Sequence, residues 1–307
     1  MTTIKKSWNR IGVAILGAFG LSAAQYVLSA DPLRMTDLPS NHGHVNTKLF
    51  LGDGENQPLI VGFGGAEGGN LFASDVVRPA VNGYLAKGYA FLAIGYFDAP
   101  GAPKVMDRIA LEAVHDAIAK AAADPKVNKR CIAVLGGSKG GELALVLASY
   151  YPDIKAVIGL VPGSAVFAAH TDTMDTSAWS LNGKALPFVP VPQSAAPFFF
   201  PPNRNLRLAW EEMLKDKAAV DKAAIAVERI NGPILLVSAT RDEYWPSTEM
   251  SEAVGHRLKS KNFPYKFQHV AIEGQHNDVY AHPNLSEEFL RVNLLQESTA
   301  GCPRSRE

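Results

Sequence analysis

The sequence predicts an α/β fold, a mostly parallel sheet with helices on both faces and a lid region inserted near its end. Three observations carry that expectation. Short apolar runs bounded by Gly, Pro or Asp alternate with stretches of helical spacing. The apolar runs are continuous rather than alternating, as strands covered on both sides require. One of them, "CIAVLG", runs straight on into "GSKGGELALVLA", a hydroxyl set among glycines at the junction of strand and helix.

The elements follow in order. In residues 1–30, Lys5, Lys6 and Arg10 precede the apolar "IGVAILGAFGLSAA", and small residues follow at Ser22, Ala24, Ser29 and Ala30. This is the order of a secretory signal. Residues 11–30 also have the length to remain as an uncleaved anchor in contact with a membrane. Both readings predict export (periplasmic or secreted) or attachment to a membrane, and both exclude the segment from the fold. Residues 31–46 read as a linker, 47–299 as the folded domain and 300–307 as a polar tail. Within the domain, "TKLFLG" and "PLIVGF" predict strands, "LFASDVVRPAVNGYLAKG" a helix, "YAFLAIGY" a strand and "VMDRIALEAVHDAIAKAAA" a helix. "CIAVLG", "GELALVLASYY" and "IKAVIGLV" continue as strand, helix and strand. The alternation breaks across 163–230, where Pro and aromatics cluster without a period before the helical "LRLAWEEMLKDKAAVDKAAIAVERI". This stretch predicts an inserted lid. It then resumes with "GPILLVSA", a helix over 247–260, "YKFQHVAI" and a last helix over 285–295.

Composition narrows the function classes. With 47% hydrophobic and 20% charged residues in 307, the chain buries a full core, so disorder and fibrous repeats are excluded. Thirty basic residues balance thirty acidic ones without a single-sign run, which argues against nucleic acid as a partner. Cys131 lies in an apolar run and Cys302 in the polar tail, so no disulfide is expected. His42 and His44 lack a third ligand at sensible spacing, so no metal is expected, and no motif calls for a cofactor.

The chemistry concentrates at Ser138. A serine that ends a parallel strand and opens a helix on a sharp turn lifts its hydroxyl above the sheet edge, and such a turn excludes bulky neighbours, hence Gly136 and Gly140. A P-loop would need Lys before the hydroxyl residue, whereas Lys139 follows it. A serine nucleophile requires a base, and the base an orienting carboxylate, in the chain order Ser, acid, His. Asp242, just past the strand "ILLVSA", fills the acid position, with Glu243 as the neighbouring alternative. His276, in the loop after the last strand, fills the base position; its rivals are His269 within that strand and His282 beyond it. Oxyanion donors are expected from the backbone of Lys139 and from the loop "GFGGAEGGN", where Gly64, Gly65, Ala66 and Glu67 are the candidates.

These motifs carry a resemblance. "GSKGGELALVLASYYPDIKAVIGLVPGSAVF", "SAWSLNGKALPFVP", "RDEYWPS" and "EGQH" resemble the carboxyl-terminal domain of the acyl-CoA thioesterase and bile acid-CoA:amino acid N-acyltransferase family, an α/β-hydrolase branch near dienelactone hydrolases, over about residues 59–295. The resemblance implies an α/β-hydrolase fold with Ser138 as nucleophile, Asp242 as acid and His276 as base, acting on a small-molecule acyl thioester or carboxylic ester. Members with serine here are thioesterases and those with cysteine are amino acid transferases. Eukaryotic members open with a β-sandwich, for which the stretch between Ala30 and the first strand is too short. The aromatics Trp179, Phe198, Phe199, Phe200 and Trp245 are candidates for a substrate pocket, or for a cap on the core. The competing functions are acyl transfer or peptide hydrolysis on the same three residues and, from another class, a binding protein that keeps the fold without the chemistry.

Overall fold

The computed structural model describes residues 38–296 and Cys302; the expected signal or anchor over residues 1–30 lies outside them. Seven strands form the main sheet in the order β1 (Asn46–Phe50), β3 (Ala90–Gly95), β2 (Gln57–Phe63), β5 (Val127–Gly137), β6 (Ile154–Leu160), β9 (Ile234–Ala239) and β10 (Phe267–Ile272). Only β1 runs antiparallel to its neighbour; the other pairings are parallel. The helices α1 (Arg78–Ala86), α2 (Leu111–Ala122), α3 (Lys139–Tyr150), α6 (Ser247–Ser260) and α7 (Pro283–Leu290) flank these strands in the sequence.

Continuous apolar strands feed two cores at once. In β2, Leu59, Val61 and Phe63 join the side chains of α2 and α3, while Ile60 joins Val81 of α1 and Phe289 and Leu290 of α7. Successive side chains of a strand alternate between faces, so the same seven residues hold helices on both. From β2 the chain first moves outward to β3 and then returns past β2 to β5, which makes the β2/β5 boundary the switch point of the sheet. Crevices at the carboxyl ends of such strands are where ligands bind in open α/β sheets. Phe63 pairs with Gly136, so the Gly-rich loop and Ser138 leave the sheet side by side.

Three stretches differ from the sequence expectation. The helix expected from Leu71 begins at Arg78, where Pro79 supplies a preset first turn, and only a 3₁₀ turn covers Leu71–Ala73. The helix expected from Val105 begins at Leu111, because Ile109–Ala110 (β4) pairs with Trp179–Leu181 (β7) in a small sheet completed by Lys184–Ala185 (β8). The long helix expected in the insertion is two, α4 (Leu206–Met213) and α5 (Lys217–Ala223), because the Asp216 carboxylate accepts from Ala219 N and starts a new helix.

The expectation for the cysteines is corrected. Cys131, in β5, and Cys302 form a disulfide across 171 residues of sequence, with Cα atoms 5.3 Å apart. Polarity of the tail hid this, because proximity in space rather than local composition decides pairing. Among the described residues no helix is long and apolar enough to cross a membrane.

Candidate active site

Ser138 stands between β5 and α3 with φ 53° and ψ −120°, a conformation that side-chain-bearing residues rarely adopt. Surrounding contacts hold it there. A methyl group on Gly136 would collide with the Gly140 carbonyl, and one on Gly140 would collide with the carbonyl of Gly64. The glycines are therefore what lets helix α3 and the loop after β2 close on the turn. Ser138 N donates to Leu160 O at 2.8 Å. From Cys131 to Ser149, Ser138 is the single residue that is not buried.

Asp242, after β9, and His276, after β10, meet in a hydrogen-bonded pair. Asp242 follows β9 and is fully buried; its Oδ1 accepts from the backbone N–H groups of Tyr244 and Trp245 at 3.0 and 3.2 Å. His276 Nδ1 donates to both carboxylate oxygens, at 2.8 and 2.9 Å. That bond fixes the tautomer and leaves Nε2 as the basic nitrogen. Glu243, the alternative acid, instead accepts from the backbone N–H of His276 at 2.9 Å. His269 is engaged elsewhere, bonded to Ser238 Oγ at 2.8 Å with its pKa lowered by burial, and His282 is exposed at the start of α7.

His276 opens a 3₁₀ turn, His276–Ala281, that leans over the serine turn: the Tyr280 hydroxyl lies against Gly137, where a side chain would strike it. Burial raises the Tyr280 phenol above its usual pKa, assisted by the charges of Glu67 and Asp242, so it stays protonated beside Ser138. Tyr244 packs edge-on against the imidazole, with ring centroids 4.8 Å apart. Sequence reasoning missed Tyr280, Tyr244 and the hold of Glu243 on His276; the short spacing of Tyr280 after His276 was the one available signal.

The loop candidates fall into different places. Gly65 lies closest to the nucleophile, where an added Cβ would be 3.1 Å from Ser138 Cβ, but its N–H donates to Glu67 Oε1 at 2.8 Å. Ala66 and Glu67 are exposed, and Tyr96 OH donates to the Gly64 carbonyl at 2.9 Å. Lys139 is the first residue of α3, so its N–H lacks an intrahelical acceptor.

The aromatic candidates divide as well. Trp179 and Trp245 are core residues rather than walls of an opening, their indoles donating to Glu142 Oε1 at 2.7 Å and to Val161 O at 3.0 Å. Phe199 packs edge-on against Trp210, Phe198 is half-buried, and Phe200 is exposed. The insertion packs Phe167, Trp210 and Met213 against Trp245 in a separate apolar cluster. It is also tied to the site, since Arg207 Nη1 in α4 donates to the Asp242 carbonyl at 3.1 Å. Among the described residues no group of three His, Cys, Asp or Glu could hold a metal ion.

A parallel sheet, a serine on a strained strand-to-helix turn and a carboxylate-bound histidine after the last strand define an α/β-hydrolase fold. The family described as "BAAT / Acyl-CoA thioester hydrolase C terminal" matches residues 109–277, more than half of the chain, and the protein belongs to it. Acyl-coenzyme A thioesterase 1 of Mus musculus is 27% identical over 224 residues, which cover 73% of this chain and 49% of that protein. The Mus musculus peroxisomal succinyl-coenzyme A thioesterase is 25% identical over 232 residues, with 73% and 49% covered. The chain thus spans about half the length of the curated relatives it matches. Among solved structures, a Mycobacterium tuberculosis puromycin-hydrolyzing peptidase shares the fold with a TM-score of 0.56 at 18% identity, covering 86% of this chain and 38% of that one. Acetyl xylan esterase 1 from Thermoanaerobacterium does so with a TM-score of 0.51 at 16% identity, covering 80% and 78%.

Proposed function

We propose that the protein is a serine hydrolase that cleaves an acyl thioester or carboxylic ester through an acyl-enzyme on Ser138. The two bonds from His276 Nδ1 to the buried Asp242 carboxylate, with Tyr280 of the same 3₁₀ turn lying against Gly137 next to the strained Ser138, are the observation that carries this reading. In the first half-reaction, His276 Nε2 takes the Ser138 proton as Oγ bonds to the acyl carbon. The tetrahedral oxyanion draws on the N–H of Lys139 and a second donor from the loop over Gly65–Glu67, and collapse expels the thiol or alcohol with the proton that His276 returns. Water then repeats the sequence and releases the acid. Asp242 holds the imidazole and stabilises the imidazolium; no cofactor enters any step.

Family membership supports the thioester as the substrate class, and the relatives are named as acyl-coenzyme A and succinyl-coenzyme A thioesterases. The disulfide favours a second reading, a carboxylic ester. Disulfides persist in oxidising compartments, so Cys131–Cys302 supports export, where acyl-CoA is scarce. The N-terminal order of charges, apolar run and small residues points the same way. A panel of acyl-CoAs, nitrophenyl esters and short peptides ranks the substrates, and a fluorophosphonate probe tests the nucleophile. Labelling of the native protein and none of Ser138→Ala is expected; equal labelling of both overturns the proposal. Sequencing the amino terminus of the mature protein, alongside cell fractionation, tests export.

A further inference from the structure

A buried polar cluster next to the nucleophile takes part in none of these steps. Lys139 and Glu142 lie three residues apart on α3, their side chains 2% and 0% exposed, with Nζ donating to Oε2 at 2.7 Å. The other carboxylate oxygen accepts from Trp179 Nε1 at 2.7 Å and from the Phe167 backbone N–H at 3.2 Å. Both belong to the insertion, 37 and 25 residues further along the chain. The Lys139 ammonium also faces the rings of Trp179 and Phe167, at 5.4 and 5.9 Å from their centroids. Burial lowers the Lys139 pKa and raises that of Glu142, and each charge opposes the shift of the other.

Stability does not explain such a choice of residues. Desolvation of two charges offsets most of their attraction, and apolar residues of similar volume usually serve as well or better. What an ion pair adds is direction. The Lys139 side chain cannot shift without unseating Glu142, and Glu142 cannot shift without breaking two attachments to the insertion. The backbone N–H of the same Lys139 is the proposed oxyanion donor, and the strength of such a donor depends on its aim.

We infer that Glu142 is a positioning residue: through Lys139 and Trp179 it locks the first turn of α3 against the insertion so that the Lys139 N–H points at the developing oxyanion. The inference rests on the proposed chemistry at Ser138. It makes the insertion a determinant of the catalytic rate and not of substrate binding alone.

The test replaces the ion pair by apolar side chains in the double variant Lys139→Met/Glu142→Leu. Melting temperature is expected to match or exceed that of the native protein, while kcat falls about 10- to 100-fold with KM within about threefold. Affinity for an acyl boronic acid, whose tetrahedral adduct on Ser138 presents an oxygen to the hole, is expected to fall with kcat. Native kcat and native boronate affinity in the folded double variant overturn the inference, as does a loss confined to KM. Should that variant not fold, Trp179→Phe, which removes the indole donor to Glu142 and leaves a smaller ring in the core, decides: a three- to tenfold fall in kcat and boronate affinity supports the inference and unchanged values overturn it. Ser138→Ala run in parallel separates the two readings, because persistent activity there defeats the hydrolytic proposal itself.

Discussion

The serine turn and the insertion are held by different physics. Around Ser138 the constraints are steric and local: Gly136 and Gly140 leave no room for a side chain, and the chain between β5 and α3 has one way to pass. The insertion shares the apolar core through Val166, Trp179, Leu186 and Ile225 and pairs β7 with β4, and its links to the site are single polar attachments over long sequence distances, Glu142 to Trp179 and Phe167, and Arg207 to the Asp242 carbonyl. The first region determines where the hydroxyl stands. The second determines how well the groups around it are aimed. Substitutions at the turn should therefore abolish chemistry or folding, whereas those in the insertion should grade the rate.

The largest expected effect is at the turn. Ser138→Ala or His276→Ala should lower kcat by roughly 10³-fold or more with the fold intact, measured as steady-state hydrolysis alongside circular dichroism. Asp242→Asn should approach the same loss, because an amide in that position favours the wrong imidazole tautomer. Next comes the strand that delivers the serine. Cys302→Ser removes the tie between β5 and the end of the chain, and is expected to lower the unfolding free energy by about 2–5 kcal/mol in urea titrations, with kcat little changed. Native protein treated with reductant should show the same shift, and the variant none further.

In the insertion the expected effects are smaller. Arg207→Ala cuts the contact with the Asp242 carbonyl and the partly exposed pairs with Glu211 and Glu249. Exposed pairs contribute about 0–1 kcal/mol each, so stability should barely move, while kcat/KM falls about three- to tenfold. An Arg207→Ala enzyme with native kcat/KM would dissolve the contrast between the two regions.

The same contrast governs what the sequence revealed. The turn was legible because its requirement is written in adjacent residues, and Asp242 and His276 because strand ends fix where loops begin. The insertion was not, since Trp179 reads equally as pocket or core until Glu142 is seen to accept its N–H. Helical spacing over 105–110 was overridden by pairing of Ile109–Ala110 with Trp179 and Ser180, and the helical run over 206–230 was cut by one aspartate cap. The disulfide partners are 171 residues apart, a distance over which composition says nothing.

The smallest effect concerns the sheet far from the turn. His269 in β10 is bonded to Ser238 Oγ, and burial holds its pKa below the ordinary 6.5. A histidine kept neutral by the fold takes up its proton more readily when unfolded, so its contribution is fully present above about pH 6.5 and is lost as pH falls below that value. Melting temperature should therefore decline from pH 7 toward pH 5.5. His269→Gln, which keeps a hydrogen-bonding group but cannot titrate, should flatten that decline by about 1–2 °C while leaving kcat at pH 7.5 unchanged. A variant whose pH profile parallels that of the native protein would place the acid sensitivity elsewhere. A variant that loses kcat would mean that packing within the sheet reaches the site as strongly as the insertion does.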